Sequence, residues 1–234
     1  MALPLYLAMI AAEMQAISVP PPKCAYMACH FSPYGTGLSN LPRQLPKGSL
    51  LILNDRSSWW CPAPRLIADQ LSHCMEALEC RGLLLDFQRP DVPEEAELAA
   101  MLSDVLPFPV GVSESYAADL SCSVFLPPLP LGLSLSDYLA PWTGRGIWLD
   151  LALSREEITV TEEGSTVFPC PCSADTAGFL RDAGLHCHYH VAVEEHTARF
   201  TLCRTREDLT SLLTEAADLG VTTALGLWQE MHNG

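Results

Sequence analysis

Two polar side chains, Asp86 and Gln88, stand at the end of the apolar run Gly82-Leu83-Leu84-Leu85. Residues two apart in an extended strand face the same way, so Asp86 and Gln88 share one side and Phe87 takes the other. If that strand lies in a parallel barrel, its carboxyl end is where such folds build their sites. A carboxylate held there can orient a reacting group or share a proton. An amide can donate and accept hydrogen bonds but has no titratable proton. Asp55, Glu114 and Asp150 also follow short apolar runs and join the candidate set. Asp86 with Glu114 is the first pair to weigh as catalytic carboxyl groups, since neighbouring strands lie about 4.8 Å apart and such a spacing suits acid/base work. Asp55 and Asp150 are expected to bind substrate.

Aromatic side chains near the same strand ends extend this chemistry. Tyr34 precedes Gly35-Thr36-Gly37 after the second apolar run, Trp59-Trp60 follow the third, and Trp228 closes the last. Flat rings exposed in a groove stack on sugar rings. The competing role for each tryptophan is packing, inside the fold or over a helix. A metal reading has one starting point: His186, His188 and His190 alternate along one strand face, with His196 beyond them and Cys170-Pro171-Cys172 upstream. Imidazoles so placed can ligate zinc. The opposite face, Cys187, Tyr189, Val191 and Val193, is apolar, so the histidines are expected to form the wet side of a hairpin, and neither metal nor cofactor is expected. No phosphate loop, dinucleotide fingerprint or Gly-x-Ser-x-Gly elbow occurs in the sequence.

The elements that must position these residues follow from periodicity. Eight short β-rich runs are expected: Leu5–Ile10, Cys24–Phe31, Leu50–Leu53, Gly82–Phe87, Pro109–Ser113, Ser123–Leu126, Gly146–Leu151 and Thr222–Trp228. Helical spacing marks Pro64–Glu79, Pro93–Leu106 and Arg206–Leu219. Between residues 152 and 203 the pattern becomes two hairpins, Ile158–Thr161 with Ser165–Phe168 and His186–Val193 with Thr197–Cys203. The expectation is one (β/α)8 barrel domain over residues 1–234, with residues 152–203 an antiparallel insertion between the seventh and eighth strands.

The segment Arg81-Gly82-Leu83-Leu84-Leu85-Asp86-Phe87-Gln88 resembles the fourth-strand signature of glycosyl hydrolase family 18, the chitinase-like barrels, written Asp-Gly-x-Asp-x-Asp-x-Glu. Gly82 and Asp86 match. Arg81 and Leu84 replace the two earlier acids, and Gln88 stands where the family has its catalytic glutamate. The antiparallel insertion before the last helix and strand agrees with the family, as does Leu225-Gly226-Leu227-Trp228, which resembles an eighth strand ending in a sugar-stacking tryptophan. The resemblance implies a divergent glycoside hydrolase or a carbohydrate-binding barrel centred on Asp86 and Gln88. Family-type hydrolysis is then expected to be absent or carried by other residues, because glutamine cannot protonate a leaving oxygen. The alternative is a structural or interaction protein on the same scaffold.

Composition narrows the partners. The chain carries 28 acidic against 13 basic residues, a formal charge of −15, which repels phosphate backbones and anionic lipid. Neither nucleic acid nor membrane is an expected partner. The apolar start Met1–Ile10 lacks a basic flank and meets Glu13, so it is read as a strand, not a signal peptide. Ten scattered cysteines suit buried thiols in a reducing, cytoplasmic setting. The oligomeric state has no signature in the sequence.

Overall fold

The computed structural model describes residues 3–33, 37–56, 64–89, 91–171 and 176–232. Eight parallel strands close into a barrel: β1 (Leu5–Met9), β2 (Cys24–Phe31), β4 (Leu50–Asn54), β5 (Gly82–Asp86), β6 (Val110–Ser113), β7 (Ser123–Leu126), β8 (Ile147–Leu151) and β14 (Val221–Leu227). Closure is made by β1, which pairs with β14 from Leu5 opposite Ala224 and with β2 from Leu7 opposite Cys24. A two-residue strand, β3 (Leu38–Ser39), runs antiparallel to the end of β2. Every barrel strand expected from the sequence is present, within one or two residues at each end.

Between the strands lie α1 (Ala11–Ala16), α2 (Pro64–Ala77), α3 (Pro93–Val105), α4 (Glu114–Ala117) and α5 (Leu135–Leu139), with α6 (Arg206–Asp218) before β14 and α7 (Trp228–His232) after it. The three long helices bury one stripe each; in α2 it is Ile67, Ala68, Leu71 and Met75. Strand residues split by parity, as a barrel demands. Leu83, Leu85 and Phe87 join the core shared with the helices, whereas Leu84 joins Tyr6, Ile52, Trp148 and Leu225 inside the barrel. Trp148 fills that interior because its neighbours are small. A Cβ on Gly111 would lie 2.6 Å from the Trp148 ring, and one on Gly82 would lie 3.3 Å from it. The barrel interior is therefore filled at the level of Trp148.

The excursion between β8 and α6 is a single five-stranded antiparallel sheet, ordered β10-β9-β13-β12-β11. Its strands are β9 (Ser154–Thr161), β10 (Gly164–Pro169), β11 (Leu180–Asp182), β12 (Cys187–Glu194) and β13 (Thr197–Arg204). The two expected hairpins are thus joined through β9 and β13, with Phe200 opposite Ile158. Buried Arg204 fastens the sheet to the barrel, donating to the carbonyls of Leu129, Pro130 and His186. Three carbonyl acceptors satisfy a guanidinium that burial would otherwise make costly. Among the described residues, no helix is long and apolar enough to cross a membrane.

Candidate functional site at the barrel mouth

The last inward positions of three adjacent strands form one row. His30 on β2 pairs in register with Asn54 on β4, and Asn54 with Asp86 on β5. Each ends an apolar run, so the barrel interior changes from hydrocarbon to polar at this level. Above the row lies a cavity of about 730 Å³, whose polar lining is His30, Asn40, Asn54, Asp55, Arg56, Asp86 and Gln88. Ile10, Met27, Ala28 and Ile52 are among its apolar walls. A second cavity of about 870 Å³ shares Ala11 and Asn40 with the first and continues past Met14, Tyr26 and Arg43. Both lie in the size range of small-ligand sites.

Asp86 and Gln88 face the same way, as the strand period requires. Gln88 donates from Nε2 to Asp86 Oδ1 at 3.2 Å. Burial raises the Asp86 carboxyl above its ordinary value; the Gln88 bond opposes this and the Asp55 charge adds to it. The loop carrying Gln88 is held from below. Buried Asp55 accepts through Oδ2 from the backbone N–H groups of Gln88 at 2.9 Å and Arg89 at 2.7 Å. The Arg89 guanidinium bridges Asp55 and the fully buried Glu95. Tyr116 bonds Glu95 and the Arg89 carbonyl. This network spans β4, β5, α3 and α4 and fixes the backbone from which Gln88 projects.

His30 is fixed as well. Its Nδ1 donates to the Phe31 carbonyl at 2.8 Å, which leaves Nε2 to accept from Asn40 Nδ2 at 3.0 Å. Asn40 adopts the left-handed backbone, φ 56°, and its carbonyl accepts from the Tyr26 hydroxyl. Asparagine tolerates that conformation better than most residues, and such positions concentrate at functional sites.

The remaining sequence candidates separate. Asp55, Asp86 and Gln88 line the cavity; Asp150, Glu114 and Trp228 do not. Asp150, on β8, has its carboxyl pushed up to about 7 by burial, with the charges of Asp86 and Glu230 adding and a bond from the Leu151 N–H opposing. Glu114 opens α4. Burial raises the Tyr138 hydroxyl, which donates to the Pro127 carbonyl at 2.8 Å, and the charges of Glu114 and Asp150 add to the shift. Trp228 begins α7 and stacks on His232, ring centres 3.8 Å apart. Tyr34, Trp59 and Trp60 lie outside the described residues.

The histidine row resolves differently. His186 Nε2 meets Glu215 at 2.7 Å, and His188 Nδ1 meets Asp208 at 2.9 Å, both carboxylates coming from α6. His190 packs against Phe179. Among the described residues, no group of three or more histidine, cysteine or acidic side chains is arranged to hold a metal. Sequence reasoning passed over His30, Asn40, Asn54 and Arg56. The signal for His30 and Asn54 was present: each is the polar residue that ends an apolar strand, as Asp86 is.

Neither a protein-family model nor a curated protein matches the sequence. Solved structures do match in fold. The spore cortex-lytic enzyme SleL of Bacillus cereus has a TM-score of 0.59 at 10% identity, covering 96% of this chain and 70% of that one. A chitinase from Chromobacterium violaceum has a TM-score of 0.56 at 9% identity, covering 97% and 93%. The family 18 chitinase of Cycas revoluta in complex with (GlcNAc)3 has a TM-score of 0.57 at 12% identity, covering 97% and 94%. The chain thus shares the (β/α)8 barrel fold of these enzymes. A double mutant of the Cycas enzyme, with one glutamate replaced by glutamine and one glycine by tryptophan, also matches and is in complex with (GlcNAc)4.

Proposed function

We propose that the protein binds an N-acetylglucosamine-type oligosaccharide at the barrel mouth and does not cleave it by the acid-assisted route of chitinases. The observation that carries this reading is the Gln88 to Asp86 bond inside the cavity. Gln88 occupies the place of the acid in the family motif, is oriented by the same aspartate, and has no proton to give. Asp86, Asn54, His30 and Asn40 supply donors and acceptors at fixed positions, which is what hydroxyl and acetamido groups need. Structural relatives that hold (GlcNAc)3 and (GlcNAc)4 support the ligand class.

The test is calorimetric titration with chitotetraose, followed by hydrolysis of an aryl chito-oligosaccharide. Wild type should bind without turnover, and Asp86→Ala should lose binding. General acid catalysis supplies about 10²–10⁴-fold in rate, so Gln88→Glu should raise any trace hydrolysis. Absence of binding by wild type together with no rate gain in Gln88→Glu would reject the carbohydrate reading.

A further inference from the structure

The antiparallel sheet leaves one of its faces uncovered. Strand register places Val160 beside Ala198 and Ser165, Ile158 beside Phe200 and Val167, and Phe200 beside Val191. Val193 lies opposite Ala198, and Leu180 opposite Tyr189, so all of these side chains share one face across five strands. Several are strongly exposed: Val193 76%, Leu180 63%, Val167 55%, Val191 41% and Val160 38%. Soluble chains seldom leave so continuous an apolar patch open without a use for it. The opposite face is different in kind. It carries Arg155, Arg181 and Arg199 with His188, His190, Glu157 and exposed Phe168, and at its Arg181–His188 end it meets α6 through Asp208.

Charge says what should cover the apolar face. The two hairpin tips, Glu162-Glu163 and Glu194-Glu195, are exposed and sit together at one end of the sheet, where Thr197 pairs with Thr161 and His196 meets Glu162 at 3.2 Å. The sheet's arginines are on the other face or, for Arg204, buried. By register Glu194 lies on the arginine face, so the open face is apolar and edged at its tip by the turn residues Glu162, Glu163 and Glu195. A second copy docked with its strands running the same way would bring the tip glutamates together, and any self-pairing would join two chains of −15.

We propose that this face docks a basic partner protein, one that presents apolar side chains bordered by lysine or arginine. This function is separate from the barrel mouth and does not depend on sugar binding. Apolar contact would supply most of the affinity, and the glutamate border the orientation and the association rate.

The probe is an amphipathic leucine–lysine peptide, with a leucine–glutamate peptide of equal length as control, followed by fluorescence anisotropy at physiological salt. The lysine peptide should bind and the glutamate peptide should not. Val167→Thr/Val191→Thr/Val193→Thr keeps β-branched residues and net charge, so the sheet is retained, yet it should weaken binding about tenfold or more. Neutralising Glu162, Glu163 and Glu195 to glutamine should weaken it comparably. Neutralising Glu76, Glu94 and Glu97, exposed on α2 and α3, removes as many charges and should leave it nearly intact. Unchanged binding by the threonine variant, or equal loss from the two acid sets, would overturn the proposal. A dimer seen by light scattering and dissolved by the threonine variant would overturn it in favour of self-association.

Discussion

Replacing Asp150 by asparagine should stabilise the protein, and increasingly so as pH rises. Burial pushes this carboxyl from its ordinary 3.8 to about 7. Between those values the unfolded chain has released the proton while the folded chain keeps it, so stability falls as pH rises through the window. Above pH 7 the folded state must hold the charge, at a cost of up to about 4 kcal/mol, taking about 1.4 kcal/mol per decade over three decades. Asp150 is only partly buried, and relaxation lowers this ceiling. Half of it, about 2 kcal/mol, corresponds to about 4–8 °C in Tm for a chain of this length. Asparagine keeps an oxygen for the Leu151 N–H, bonded at 2.9 Å, so little else should be lost. Thermal melts of both proteins at pH 5 and pH 8.5 provide the assay. The gain from Asp150→Asn should be roughly two to three times larger at pH 8.5, because at pH 5 only about one decade of the window has been crossed. A gain independent of pH, or a loss at pH 8.5, would refute the assignment of Asp150 as a buried, destabilising carboxylate.

Gly111→Ala would drive a methyl into the Trp148 ring at 2.6 Å and should cost about 1–3 kcal/mol in denaturant unfolding, with the barrel retained. Asp55→Ala removes the acceptor that holds the Gln88 and Arg89 N–H groups, and should weaken oligosaccharide binding more than Asp55→Asn, which keeps an oxygen there. Burial pushes Cys24 up to about 11, and Cys29 and Cys80 up to about 12, so these thiols should react slowly with a disulfide reagent at pH 8 in the native state. If the setting is reducing, denaturation without reductant should release nearly all ten; recovery of only a few would contradict a cytoplasmic location.

The barrel could be read from the sequence because its strands announce themselves twice. Runs such as Leu50–Asn54 and Gly82–Asp86 are apolar on both faces, as a strand buried by helices outside and by side chains inside must be. The helices between them carry a 3.6-residue stripe. The insertion was also readable, since alternation with period two and polar turns cannot sit in a parallel barrel. What the sequence withheld is pairing across distance. Nothing local says that β9 lies against β13, forty residues on, and so makes one sheet of two hairpins. The candidate site divides along the same line. Asp86 and Gln88 follow from parity alone, whereas the bond between Arg89 and Glu95, or the contact of His30 with Asn40, depends on how loops from separate strands meet. Trp228 follows the same rule: its place after an apolar run is local and legible, whereas its stacking on His232 depends on the helical turn that follows.

The cost of the barrel mouth bears on which reading of it is better supported. A scaffold that served only as a frame would gain by filling this level with hydrocarbon, as the level below is filled by Trp148, Leu84 and Ile52. Instead the chain carries two carboxyls raised by burial, Asp86 and Asp150, whose charges act on each other, and an asparagine held in the left-handed region. Each is unfavourable alone, and among the described residues the hydrogen-bond partner of Asp86 is the Gln88 amide. Polar groups kept at a cost and fixed by a network beneath them are what a preorganised binding site requires. On the proposed reading, in which Gln88 stands at the motif position of the acid, that preorganisation serves holding a ligand and not breaking it. Double substitution Asp86→Leu with Gln88→Leu should therefore raise Tm while abolishing chitotetraose binding, and a fall in Tm would mean that the pair is structural after all.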